Sequence, residues 1–419
     1  MAPRLAPFAL IPLLAACPSP PGEGEGEPAL DVQVSAPTSP SADPADAPPL
    51  DGTLPEGVPA DVRVFDLGVL GVSGGLSGEI VVEVQAGLAA LQVLVWGQPD
   101  AHVILWRAEA PDGRVVVDDT PPSGLSDSHR SFARGFPGQV FSVNRVFGAP
   151  WSGAFLVPNT PAVAPSEGTW RLVVGHFQVG AEADPALTPV DRPVRVVVLA
   201  TPRRNAGALP LNVHLTGARG LTTASATSDS FLQDALAVVR ETYAQADIEV
   251  TPVRYLDASA DFQVVDLVDD ECAGGDMVEL LRGAAPPERG LDLFVVEAFT
   301  CRLGPSEVGA SIGGLSAGLP GPAWVSGSSH AGVVVATGFA AGDGARLGLV
   351  AAHEMGHYLG LFHTRESSLF GNDPIYDTLE DTFEDADSVR DNLMFFAPDG
   401  STELTQDQGA VLRSFPLVH

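Results

Sequence analysis

Eleven consecutive residues, His353-Glu354-Met355-Gly356-His357-Tyr358-Leu359-Gly360-Leu361-Phe362-His363, place three imidazoles, a carboxylate and a glycine at fixed spacings. His353 and His357 are four positions apart, so on a helix they share one face and can grip one cation. Glu354 stands beside them, where a carboxylate can take a proton from a metal-bound water. Gly360 allows the helix to stop and the chain to swing round, because glycine accepts left-handed backbone angles at little cost. That turn can bring His363 back as a third imidazole. Three protein ligands with a fourth position open are the arrangement of a catalytic zinc site; structural sites are closed by four. Three of the chain's nine histidines fall in this register, so a helix carrying them by accident is the weaker reading.

The pattern H-E-x-x-H-x-x-G-x-x-H resembles the metzincin zinc metalloproteases, in which it is followed by a "Met-turn". Asp391-Asn392-Leu393-Met394-Phe395-Phe396 fits that turn. The resemblance implies that Met394 forms an apolar floor beneath the metal; a methionine filling a core gap is the alternative. Thr364, Asp377, Asp381-Thr382 and Asn392-Leu393-Met394 resemble the pappalysin-like bacterial branch. Phe396 stands where some members carry a tyrosine that reaches the metal, so no such switch is expected here.

The elements that must position this site occupy roughly the last half of the chain. Ser228 to Ala246 reads as an amphipathic helix with Phe231, Leu232, Leu236, Val239 and Tyr243 near one face, capped by Ser228 or Asp229. Strands are expected over 194–199, 211–215, 248–255, 291–297 and 332–336, with an edge strand over 309–315. Leu404 to Phe415 reads as a closing helix. The resemblance implies that the edge strand pairs with an extended substrate. From His363 to Asp391 runs an acidic stretch with Glu366, Asp373, Asp377, Glu380, Asp381, Glu384, Asp385, Asp387 and Asp391. It reads first as a solvated loop and second as a calcium (Ca2+) site, since hard cations want several oxygen ligands.

Upstream, β-branched and aromatic runs at 79–84, 91–96, 102–106 and 169–174 alternate with Gly, Pro and Asp turn clusters, as in an all-β sandwich. The run Glu167 to Val174 resembles the closing strand of jelly-roll domains appended to secreted proteases. His102, His129 and His176 are scattered through this part and read as structural or surface residues. Residues 18–58 are dense in Pro, Gly, Glu, Asp and Ser and read as a disordered tether. Ahead of them, Arg4 precedes an apolar run over 5–16, too short to span a membrane. It ends Leu14-Ala15-Ala16-Cys17, which resembles the lipobox of bacterial lipoproteins, with Cys17 as the lipidated residue; an ordinary secretory signal is the alternative. Pro18 after the cysteine favours the outer membrane by the same resemblance.

The chain has 419 residues and a net charge of −31 with only 22 Lys plus Arg. Such a surface argues against nucleic-acid binding, which needs cationic groups for phosphate. Of three cysteines, Cys272 and Cys301 remain once Cys17 is set aside; in an oxidising compartment they form a disulfide, and otherwise two buried thiols.

The expected architecture is therefore multidomain: a signal peptide (1–17), a tether (18–58), an N-terminal all-β, jelly-roll-like sandwich (59–187) and an α+β metzincin-like catalytic domain (188–419) with a mixed sheet and a zinc-binding helix. The expected function is an exported zinc endopeptidase acting on protein or peptide substrates, with Glu354 catalytic and His353, His357 and His363 on Zn2+. The rivals are a surface-anchored binding protein that recognises its partner through the sandwich, and a structural lipoprotein that uses zinc only to fold.

Overall fold

The computed structural model describes residues 29–37, 44–118, 144, 146, 148–179, 187–267, 275–284, 286–303, 306–307, 312–366, 375–382, 391–395 and 401–419. It is rich in β-structure, with several sheets and few helices.

The N-terminal part holds two antiparallel sheets. In the first, β1 (Asp31–Ser35) pairs with an Ile80–Ala86 strand, which pairs with Gly168–Val179, which in turn pairs with His102–Glu109. In the second, Ser152–Val157, Leu88–Trp96, Val194–Pro202 and Arg63–Leu70 lie side by side in that order. In the first sheet, alternation puts Ile80, Val82, Val84, Trp170, Leu172 and Val174 on the shared core.

Three of the four strands of the second sheet are buried on both faces. Leu91, Val93, Val95, Phe155, Val157, Val196 and Val198 face the sandwich core. The intervening Ala90, Leu94, Trp96, Ala154, Leu156, Val197 and Leu199 belong instead to the core of the C-terminal part. Period-two alternation thus feeds two cores from one sheet. Gln92, fully buried on the second face, donates through Nε2 to Gly321 O at 2.8 Å and accepts from Ala323 N at 3.0 Å.

The C-terminal part is built on a mixed five-stranded sheet. Its order is β10 (Val253–Asp257), β9 (Leu211–Leu215), β11 (Leu291–Val296), β13 (Val333–Ala336), β12 (Gly314–Ser316). The first four strands are parallel and β12 is antiparallel at the edge. Leu211, Val213, Leu293 and Val295 bury one face, and Phe294, Val296, Val334 and Ala336 the other, as in a parallel sheet covered on both sides. Helix α1 (Ser230–Ala244) is capped by Asp229, whose Oδ1 accepts from Leu232 N at 2.9 Å; Phe231, Leu232, Leu236, Val239 and Tyr243 are all buried. Helix α2 (Asp276–Arg282) covers the opposite face. Helix α3 (Gly344–Tyr358) lies against α1, with Tyr243 OH donating to Ala352 O at 3.1 Å. Helix α4 (Gln406–Ser414) closes the chain.

Three expectations are corrected. The tether is ordered in part: Asp31–Ser35 is a sheet strand, and Asp51 is buried and accepts hydrogen bonds from Ser152 Oγ, Ser328 Oγ, Ser329 N and Arg282 Nε. Its composition concealed a short β-pairing segment and one buried carboxylate. Val194–Pro202, expected in the catalytic part, is an inner strand of the sandwich's second sheet. The single strand over 248–255 is two, Ile248–Glu249 and Val253–Asp257; Pro252 between them has no N–H for a ladder.

Candidate metal centre

Helix α3 is long enough to present both histidines because its start is capped. Asp343 Oδ1 accepts from Ala345 N at 2.9 Å and Arg346 N at 3.3 Å. Its end is set by Gly360, at φ +104°. Gly360 N donates to His357 O at 3.0 Å and Leu361 N to Gly356 O at 2.9 Å, the paired bonds of a Schellman cap. The chain then reverses and delivers His363 opposite the helix.

Two backbone carbonyls orient the helical imidazoles. His353 Nδ1 donates to Leu393 O at 2.7 Å and His357 Nδ1 to Leu361 O at 2.8 Å. With Nδ1 protonated, each ring turns an Nε2 lone pair inward. His363 Nε2 lies 3.2 Å from His353 Nε2 and 3.0 Å from His357 Nε2. Tetrahedral zinc with bonds of ~2.0–2.1 Å requires ligand atoms about 3.3 Å apart. The three nitrogens stand near that spacing, and converging lone pairs repel unless a cation or proton sits between them. The donor set therefore fits a metal ion, and it is the one group of three or more metal-ligating side chains among the described residues. His353 is 3 % exposed and His357 9 %, while His363 is on the more open side.

Glu354 is one position, about a hundred degrees, further round the helix than His353. Burial raises its carboxyl to about 8, and a hydrogen bond from the Ser316 backbone N–H pulls in the other direction. Ser316 belongs to edge strand β12, so that strand and the carboxylate are held together. Met394 is fully buried, and a Cβ on Gly356 would meet its Sδ at 2.7 Å. The methionine thus packs on the helix turn between the two histidines.

The remaining expected sites divide. Cys17, Cys272, His129 and Phe396 lie outside the described residues, as do Asp373, Glu384, Asp385 and Asp387, so the lipid anchor, the disulfide and part of the calcium expectation fall there. Asp377 is buried and accepts from Leu379 N at 3.2 Å and from Thr382 Oγ1, closing the short turn Glu380–Thr382. His176 is a satisfied core residue, accepting from Gln98 N at 3.2 Å with Nδ1 3.0 Å from Arg192 O. Sequence reasoning missed Asn392 and Gln408 as a pair: each carboxamide donates to the other, at 2.8 and 2.9 Å. The signal for Gln408 was Thr405-Gln406-Asp407-Gln408, a capping-box spelling.

No protein-family model matches this chain, and no curated protein matches it. Among solved structures it is similar to metalloproteinase-II from Bacteroides fragilis, at 11% identity and a TM-score of 0.28 over 53% of this chain and 63% of that one. The chain thus spans less than two thirds of that protein. It is also similar to two family two carbohydrate esterases. An active site mutant from Clostridium thermocellum matches at 7% identity, TM-score 0.15, over 56% of this chain and 65% of that one. The enzyme from Cellvibrio japonicus matches at 8% identity, TM-score 0.15, over 64% and 67%. Superpositions this partial assign neither fold nor activity to this chain.

Proposed function

We propose that the chain is an exported zinc-dependent endopeptidase of the metzincin kind, held to a bacterial envelope through lipid on Cys17. The observation that carries this reading is the convergence of the His353, His357 and His363 Nε2 atoms beside the half-buried carboxyl of Glu354. Bound zinc supplies a Lewis acid and lowers the pKa of its water towards ~7. His353, His357 and His363 would hold it, leaving the fourth position open. Glu354 accepts the proton of the attacking water and returns it to the leaving amine nitrogen. The Ser316 N–H holds the carboxylate, and β12 is the last strand of the sheet among the described residues, where an extended peptide would pair.

The test is hydrolysis of a generic protein substrate by the full chain, with and without a zinc chelator, beside Glu354→Gln. Chelator-sensitive cleavage, lost in the variant while zinc is retained, is expected. Undiminished cleavage by Glu354→Gln refutes the proposed base. Bound zinc without cleavage favours a binding protein that recognises its partner through the sandwich.

A further inference from the structure

We propose that Gln408, on the closing helix, is a positioning residue for the metal centre, acting through Asn392 on all three histidines; this rests on the zinc reading above. Gln408 is fully buried and Asn392 nearly so. Gln408 Oε1 accepts from Asn392 Nδ2 at 2.8 Å and from Thr405 N at 3.0 Å, and its Nε2 donates to Asn392 Oδ1 at 2.9 Å. Asn392 Oδ1 also accepts from Met394 N at 2.9 Å, and Leu393 N donates to Glu403 O at 2.8 Å. The turn 392–394 is thereby fixed to the start of α4 through side chains and backbone together.

The same turn holds one ligand directly and the chain neighbour of each of the other two. Leu393 O accepts from His353 Nδ1 at 2.7 Å. Met394 O accepts from Thr364 N at 3.0 Å, the residue after His363. Met394 Sδ abuts Gly356, the residue before His357. A displaced turn would release the His353 tautomer and shift His363 at once. Buried carboxamides in reciprocal pairing admit one geometry, because any slip leaves donors and acceptors unmatched in a dry site.

Zinc affinity, measured by chelator competition, and the His353 Nδ1–H signal in long-range 1H–15N spectra of the metal-free protein test this on the full chain. Gln408→Glu keeps the capping oxygen and loses the donor; Gln408→Met fills the space without charge. Thr405→Ala loosens the same helix end but keeps the amide pair. Both Gln408 variants should weaken zinc about 10–100-fold, the range for an outer partner of a ligand, and lose the Nδ1–H signal. Thr405→Ala should lower the melting temperature with zinc affinity within about twofold. Unchanged affinity in Gln408→Met, or an equal loss in Thr405→Ala, overturns the proposal. So does unfolding of both Gln408 variants, which makes the pair a stability element. Should the wild type fail to bind zinc, the metal reading falls, and the His353 signal alone decides whether Gln408 positions that ring.

Discussion

His353 and His357 keep their Nε2 lone pairs facing inward because Leu393 O and Leu361 O hold their other nitrogens. Ligation is therefore prepared before any cation arrives, and each ligand should matter more than its supports. His363→Ala should reduce zinc affinity by more than the roughly 10–100-fold typical of an outer partner, measured by chelator competition; Glu354→Gln should leave affinity near wild type while removing turnover. At this scale the chemistry was legible, because imidazoles at i and i+4 need only a helix to meet and Gly360 announces the turn. The supporting pair Asn392 and Gln408 was not legible. A carboxamide's worth depends on which neighbour it meets, and sixteen residues of chain separate these two.

At the scale of elements, the end of α3 is the piece on which the third ligand depends. Gly360 sits at φ +104°, and a Cβ there would lie 3.1 Å from Leu156 Cδ2 of the sandwich. Gly360→Ala should cost about 1–2 kcal/mol from the left-handed backbone and weaken zinc binding, because His363 follows the turn; urea midpoints and metal competition report the two effects separately. The strands of the parallel sheet were recognisable by their apolar residues. Their partners were not: Val194–Pro202 is as rich in apolar residues as β11, yet it lies in the sandwich. Hydrophobic pattern reports burial on both faces without saying which two cores do the burying.

At the scale of the molecule, the sandwich and the C-terminal part share a core and are joined at Asp51. That carboxyl accepts from Ser152 of the sandwich and from Ser328, Ser329 and Arg282 of the other part. Burial would raise its pKa, but the hydrogen bonds from Ser329 and Ser152 and the nearby His330 outweigh it, and the net direction is downward from 3.8. A carboxyl whose folded pKa lies below its unfolded value contributes stability above the unfolded value and loses it as pH falls through the folded one. Asp51→Asn should therefore destabilise at neutral pH, and the gap from wild type should narrow as pH falls below about 4, measured by urea unfolding at several pH values. A constant gap down to pH 2 would contradict the assignment. The joint escaped the sequence because Asp51 stands among prolines and glycines, where composition speaks for disorder.

The most direct measurement is the zinc content and X-ray absorption spectrum of the full chain loaded with one equivalent of metal. One tightly held zinc is expected, with three imidazole nitrogens and one oxygen ligand that is not from the protein at ~2.0–2.1 Å, and with a nitrogen lost in His363→Ala. A site that is closed by four protein ligands, or a spectrum unaltered in that variant, would contradict it.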